Sequence, residues 1–378
     1  MKKRALSSLL AIGMAVTLAA CGSGSGAKAS STASSTPAVS TDTSSAEDTA
    51  ETAETEPAEA STESTAAAQN YDPVTVRVAY MPNLGSADSL FIGIDQGYFA
   101  EYGITVEPSE FQGGPAEITA MASGDIDIAQ IGHGAHALCI EGQAKIFQMD
   151  HTTSLSDEVV ANKSHGIEKA EDLKGKTIAV ASGTSSEIIL QQVLAKAGLK
   201  DSDVKLVEMS VDGMTTAMIA NQIDACATWS PNTVTLKNSL GDNYLSLGGN
   251  ADFLDTAIFP SSYITTDKYA SANKDVLVRF AAALDKAHDY RAAHIEDSAK
   301  ALAKHLDAPE ETMLASTKEG DWDTITKIAG DMDAIKKVYE TQQNVFIANG
   351  RIKEKVDTND YVLYDVMKEG YDLYSSTK

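Results

Sequence analysis

Thr184, Ser185 and Ser186 stand between the β-branched run Thr177 to Ala181 and the apolar stretch Ile188 to Ala197, where a strand would hand over to a helix. Residues at such a junction offer free backbone N–H groups, hydroxyls and the positive end of a helix dipole, which together suit a small anion. The same residues would cap the helix whether or not a ligand came. Gly113-Gly114 and Gly132-His133-Gly134 occupy comparable turns earlier in the chain. There glycine either lets the backbone approach a ligand closely or simply makes a tight turn. Asn83 and Ser86 lie in the loop Met81 to Ser86 after the first strand-like run, and Trp229 ends another such run just ahead of Asn232. The Trp229 ring could stack on a ligand or close a wall. Asn83, Ser86, Gly114, Gly132, His133, Thr184, Ser185, Ser186, Trp229 and Asn232 are therefore the candidate ligand-binding set.

Other chemistries find less support. His133 and His136 have i, i+3 spacing, but a metal site needs further ligands and no matching His/Cys cluster accompanies them, so no metal is expected. The folded part contains no Gly-x-Ser-x-Gly, and no phosphate loop of the Gly-x4-Gly-Lys-Ser/Thr type occurs, so neither an enzyme nor a cofactor is expected. The formal net charge of −24 disfavours nucleic acid as a partner. Arg77 falls inside the first strand, while Arg279, Arg291 and Arg351 fall on or beside helices. An anion is then left to backbone N–H groups and hydroxyls, which suits a sulfonate better than a dicarboxylate. Asp212 and Asp255 are candidates to pair with a ligand amine.

The elements that must position these residues alternate. Val74 to Tyr80 reads as a strand, Leu90 to Gln96 as a helix, Ile104 to Glu107 as a strand, Ala116 to Ala122 as a helix and Ile126 to Ile131 as a strand. A second cycle follows Gly166: strand Thr177 to Ala181, helix Ile188 to Ala197, strand Val204 to Glu208, helix Gly213 to Asn221 and strand Ile223 to Thr228. Repeated strand, loop and helix imply an α/β fold, with parallel-rich sheets carrying helices on both faces. Two cycles in series imply two lobes. Residues 270 to 378 read as mainly helical: Asp275 to His294, Ser298 to Leu306, Asp333 to Asn349 and Tyr361 to Tyr374. Trp322 falls in this tail, away from the expected cleft. Cys139 and Cys226 read as free, buried thiols.

The start of the chain is of another kind. Lys2, Lys3 and Arg4 precede the short apolar run Leu9 to Ala20, the pattern of a secretory signal. Leu18-Ala19-Ala20-Cys21 resembles the bacterial lipobox, which implies lipidation of Cys21 and anchoring to the cell membrane. Residues 22 to about 70 are rich in Ser, Thr, Ala and Glu, a composition that cannot bury a core and is expected to form a solvated tether. A Ser/Thr-rich tether after a lipobox leans towards a Gram-positive cell surface.

The segments Arg77 to Pro82, Gly97 to Ile104, Ala120 to Asp127, Asp172 to Lys176, Ser182 to Ser185 and Gln222 to Pro231, in that order and spacing, resemble the nitrate/sulfonate/taurine family of periplasmic-type binding proteins. That family also contains binders of the thiamine pyrimidine precursor and related aromatic compounds. The resemblance implies a two-lobe periplasmic-binding-protein fold of type II with a helical C-terminal part. After the signal peptide at 1–20 and the lipidated Cys and tether at 21–70, lobe 1 is expected at 71–160, lobe 2 at 161–262 and the return into lobe 1 at 263–378. The chain would cross between lobes near Val159 to Asn162 and near Phe259 to Thr265. It implies a monomeric, extracytoplasmic solute-binding component of an ABC importer, with the permease and ATPase subunits as partners. The ligand between the lobes would be a small organic anion such as an aliphatic sulfonate or taurine, or alternatively a thiamine pyrimidine precursor or another small aromatic compound. A catalytic member of the same fold is the least favoured reading.

Overall fold

A computed structural model describes residues 71–378. Cys21, the signal segment and the tether lie outside the described residues. Ten strands form two five-stranded sheets of identical plan. The first contains β1 (Val74–Tyr80), β2 (Ile104–Glu110), β3 (Ile128–Ile131), β4 (Lys145–His151) and β10 (Ser261–Thr265), in the order β2-β1-β3-β10-β4. The second contains β5 (Asp157–Asn162), β6 (Thr177–Val180), β7 (Lys205–Glu208), β8 (Ala225–Trp229) and β9 (Tyr244–Gly249), in the order β7-β6-β8-β5-β9. In each sheet three strands run parallel. One further strand pairs antiparallel with two neighbours, β10 in the first sheet and β5 in the second.

The helices used below are α1 (Leu84–Asp95), α2 (Gly114–Ser123), α3 (Ser185–Lys196), α4 (Val211–Ile219), α5 (Asn232–Leu240), α6 (Lys274–His305), α7 (Met332–Ala348) and α8 (Tyr364–Ser375). Alternation in β1 sends Val76 and Val78 into the first core, while Arg77 reaches the other way and grips Asp127 through Nη2–Oδ1 (2.6 Å) and Nε–Oδ2 (2.9 Å). The long helix α6 lays Leu277, Phe280 and Leu284 against that core. It joins the two helices expected over 275–294 and 298–306 into one, with His294 in a non-helical conformation at the join. The second core gathers Ile178, Ile189, Val193 and Ala225 around β6, α3 and β8. Cys139 and Cys226 are free and buried, and burial pushes the Cys139 thiol up to about 12.

Two boundaries shift from the sequence reading. Val159 to Asn162 do not cross between lobes but lie inside β5, paired on both sides and buried, so the first crossing is at 152–156. Ser261 to Thr265 already belong to the first sheet, so the return lies between Gly249 and Ser261. The crossings are tied to each other by Ser154 N–H donating to Phe259 O (2.8 Å), and to the tail by Leu155 N–H donating to Glu319 O (2.7 Å). Strand β4 was not foreseen because four of its seven residues, Gln148, Asp150, His151 and Lys145, are polar, and the first three are buried.

Candidate ligand site

Each lobe presents the ends of its strands, and the helix starts that follow them, to the space between the sheets. Asn83 caps α1, its Oδ1 accepting from Ser86 N–H at 3.0 Å, and Ser86 Oγ accepts from Met81 N–H at 2.9 Å. Gly114 opens α2 with Pro115 beside it, where proline's missing N–H costs nothing. Gly132 leads into the turn His133–Ala135. Thr184 caps α3 from the opposite lobe: its hydroxyl accepts from Ser186 N–H (3.2 Å) and donates to Ala181 O (2.6 Å).

These three helix starts and the turn after Gly132 converge on one cavity of about 500 Å³, part of it open to solvent. Of the candidate set, Asn83, Ser86, Gly114, Gly132, His133, Thr184, Ser185 and Trp229 line it. Ser186 does not. It is fully buried beneath the helix start, with its hydroxyl donating to Ala227 O (2.6 Å) and accepting from Ala181 N–H (3.2 Å), so its polar capacity is spent on the fold. Asn232 lies in an adjoining recess with Asp212, Pro231 and Trp229. Asp255 is exposed and does not line the cavity.

The lining also holds Gln130, His151, Ser154, Ser156, Asp157 and Ser261, which sequence reasoning missed. Their signal lay in register rather than in motif. The antiparallel pairing of β5 with β8 sets Asp157 directly beside Trp229, and β10 with β4 sets Ser261 beside His151. No Lys or Arg is among the lining residues.

The lobes meet at the helix starts. A side chain at Gly134 would place Cβ 2.2 Å from the Thr184 carbonyl carbon and 2.3 Å from Ser185 N, so only glycine permits this approach. His133 Nε2 lies 3.0 Å from Asp157 Oδ2 across the cleft, and Arg351 Nη1 lies 3.2 Å from Glu187 Oε2 on α3. An apolar seam of Ala137, Ile188, Phe259, Val345 and Phe346 runs behind the cavity, while Met81, Val211 and Trp229 close its other side.

Behind the lobe 1 wall lies a buried ionic cluster. Arg291, fully buried on α6, donates through Nη1 to Asp150 Oδ1 (3.1 Å) and through Nη2 to Asp150 O (2.6 Å). His288 Nε2 and Ser89 Oγ reach the same Oδ1 at 3.0 and 2.7 Å. Burial alone would raise the Asp150 pKa, but Arg291 and the hydrogen bonds from His151 and His288 hold it well below the usual carboxylate range. Burial dominates at His151 and lowers its pKa, so that ring is neutral at pH 7. Asp88 on α1, close to both Arg291 and Asp150, is pushed up to about 7, chiefly by burial.

Ser261, His151 and Asp150 form a serine, histidine and carboxylate set at this wall. Both partners approach the same ring nitrogen: Ser261 Oγ is 2.7 Å and Asp150 Oδ2 3.1 Å from His151 Nδ1, while Nε2 is 3.3 Å from Ser261. A histidine that activates a serine needs its carboxylate on the opposite nitrogen. The set holds the ring in place rather than priming a nucleophile. The His133 and His136 pair is likewise divided. His133 turns to Asp157, and His136, pushed down to about 3 mainly by burial, keeps Nδ1 2.9 Å from Gln342 Oε1. Among the described residues no cluster of three or more His, Cys, Asp or Glu could hold a metal.

Trp322 corrects an expectation. It is buried, its ring centroid 5.1 Å from that of His151 and 5.0 Å from the Arg291 guanidinium, so it stands one ring behind the cavity rather than in a remote tail. A ligand touching His151 would therefore perturb both tryptophans.

A family model described as NMT1/THI5 like matches residues 87–298. A protein of Brucella abortus (strain 2308) assigned as a binding protein is 30% identical over 297 residues, covering 78% of this chain and 92% of its own length. A Bacillus subtilis (strain 168) protein assigned to the binding of aliphatic sulfonates is 28% identical, covering 77% of this chain and 87% of its own. The fold is that of the alkanesulfonate-binding protein from Xanthomonas axonopodis pv. citri, solved with MOPS bound, with a TM-score of 0.62 at 19% identity over 78% of this chain and 99% of that one.

Proposed function

The chain belongs to the NMT1/THI5-like family, and from that footing we propose that it is the extracytoplasmic binding component of an ABC importer, taking a small organic anion such as an aliphatic sulfonate into the cleft and handing it to the permease. The observation that carries the ligand class is the convergence of three helix starts, at Asn83, Gly114 and Thr184, and of the turn after Gly132 on one cavity lined by no Lys or Arg. Backbone N–H groups and hydroxyls there hold an anion without a full counter-charge. The thiamine-pyrimidine reading draws support from Trp229, whose ring forms one wall. The protein acts by binding rather than catalysis, as one copy per ligand.

Ser185 is the informative position for the anion. Unlike Thr184, whose hydroxyl is occupied in capping, Ser185 lines the cavity with a hydroxyl that the helix cap does not use. Ser185→Ala is expected to weaken a bound sulfonate by about 1.5–3 kcal/mol, the range for a hydrogen bond to a charged group. Calorimetry across a panel of alkanesulfonates and aminosulfonates would check it. Affinity unchanged in the folded variant would place the anion elsewhere.

We further propose that Cys21 carries lipid and that residues 22 to about 70 tether the binding unit to the outer face of the membrane, fitting a Gram-positive surface. Among the described residues no helix is long and apolar enough to cross a membrane. Cys21→Ser should move the protein from the carbonate-washed membrane fraction to the soluble one with ligand binding intact; continued membrane retention would refute the anchor.

A further inference from the structure

The cavity contains one carboxylate, and that carboxylate is half unsatisfied. Asp157 is 2% exposed. Its Oδ2 accepts from Asn250 Nδ2 at 2.6 Å and faces His133 Nε2 at 3.0 Å. Its Oδ1, equally buried, has no hydrogen-bond partner, although the residue lines the cavity. Buried carboxylate oxygens are ordinarily paired, because leaving one unpaired forfeits the hydration it had in water. No Lys or Arg lines the cavity, and the lining His133 faces Oδ2 rather than Oδ1. The neighbouring groups are committed. Asn250 Nδ2 also donates to Ser154 O at 3.1 Å, and the backbone oxygen of His133 is taken by Gln342 Nε2 at 3.0 Å.

A simple anion alone would leave this buried oxygen facing like charge without a donor. Resting on the reading of this cleft as the solute site, we propose that the solute carries a nitrogen with hydrogen-bond-donating N–H, an ammonium or an aromatic amine, which docks on Asp157 Oδ1 while the other end of the molecule lies against the helix starts. The arrangement divides the cavity by polarity. Helix starts and hydroxyls serve an acceptor-bearing end, and Asp157, beside Trp229 in the register of β5 and β8, serves the donor-bearing end. Asp157 is then the residue that separates amine-bearing solutes from their amine-free analogues. A site built to pair with a donor rejects the analogue that lacks it, because the buried acceptor is left unpaired.

Two matched pairs test this by calorimetry on the whole folded protein: 2-aminoethanesulfonate against ethanesulfonate, and 4-aminopyrimidine against pyrimidine. In at least one pair the amine should bind about 10- to 100-fold more tightly, the span of one hydrogen bond to a charged group. In Asp157→Asn, which keeps the side-chain shape, that preference should fall to within about 3-fold while thermal unfolding confirms a folded chain. The pair that responds tells an ammonium from an aromatic amine. Equal binding of both members in the wild-type protein overturns the donor subsite and leaves the proposed function standing. A preference that survives in Asp157→Asn assigns the amine to another residue and also overturns the proposal. If no member of either pair binds, the donor subsite and the sulfonate reading fall together.

Discussion

Gly134→Ala should lower the affinity for any cleft-bound solute by about 100-fold while leaving the fold intact. The added Cβ would lie 2.2 Å from the Thr184 carbonyl carbon, 2.3 Å from Ser185 N and 2.4 Å from Thr184 O, all backbone atoms of the opposite lobe. No side-chain rotation relieves contacts with backbone, so the chain must either distort two helix starts or hold the lobes apart. Overpacking of one methyl costs about 1–3 kcal/mol, and the upper end corresponds to about 100-fold in affinity. The cost falls on the closed arrangement only, since in an open one Gly134 no longer faces Thr184. A ligand touching both lobes pays that cost in reduced affinity, because it must draw the population back to closure. Calorimetry would show the loss, and X-ray scattering at ligand saturation would show a larger radius of gyration than for the wild type. Gly132→Ala is the control for closure alone, read by scattering rather than by affinity because Gly132 lines the cavity: a Cβ there meets no protein atom within 4 Å and should not hinder closure. Wild-type affinity in Gly134→Ala would show that the turn at 132–134 is not the closing contact.

That contact was half legible in the sequence. Gly132-His133-Gly134 and Thr184-Ser185 stand out as glycine-rich or hydroxyl-rich junctions between a strand and a helix, and junctions of that type are encoded locally by capping and turn chemistry. What local chemistry does not encode is that the two junctions touch. Strand β1 was readable to the residue from its alternation, and α7 to within a residue, because each buries one clear face. Strand β4 was unreadable for the opposite reason. Gln148, Asp150 and His151 look like a surface turn, and they are tolerable in a buried strand only because Asp285, Ser89, Ser261, His288 and Arg291 arrive from distant segments to satisfy them. Asp157 and Ser261 were hidden in the same way, since their place at the cavity depends on the pairing of β5 with β8 and of β10 with β4. Ser186 shows the converse error: its type and position fit a ligand contact, but Ala227 O and Ala181 N–H had already claimed its hydroxyl.

Arg291→Met should destabilise the protein by about 3–5 kcal/mol, because it removes one partner of a buried ion pair and leaves the other charge without compensation. Arg291 and Asp150 are both 0% exposed, and the guanidinium makes two hydrogen bonds to Asp150, one to the carboxylate and one to the backbone oxygen. Methionine retains the packing on the Trp322 ring but neither bond nor charge. The effect has a pH signature. The Asp150 pKa is depressed in the folded protein, burial being outweighed by Arg291, His151 and His288. Its contribution to stability is therefore present above the unfolded value of about 4 and is lost as pH falls through the folded value. Without Arg291 the carboxyl rises, so the deficit of the variant should be widest near pH 7 and should narrow towards pH 4. Asp88 works in the opposite sense: pushed up to about 7, it binds a proton in the folded chain that the unfolded chain has released, so it favours folding less as pH rises from about 4 to 7. Asp150→Asn in the Arg291→Met background should recover part of the loss, since the uncompensated charge is then gone. Urea unfolding followed by Trp322 fluorescence, whose ring lies against the substituted side chain, reads all three proteins. A loss below about 1 kcal/mol at pH 7 would mean that His151, His288 and Ser89 hold Asp150 ionised without the guanidinium, which then serves the Trp322 ring instead.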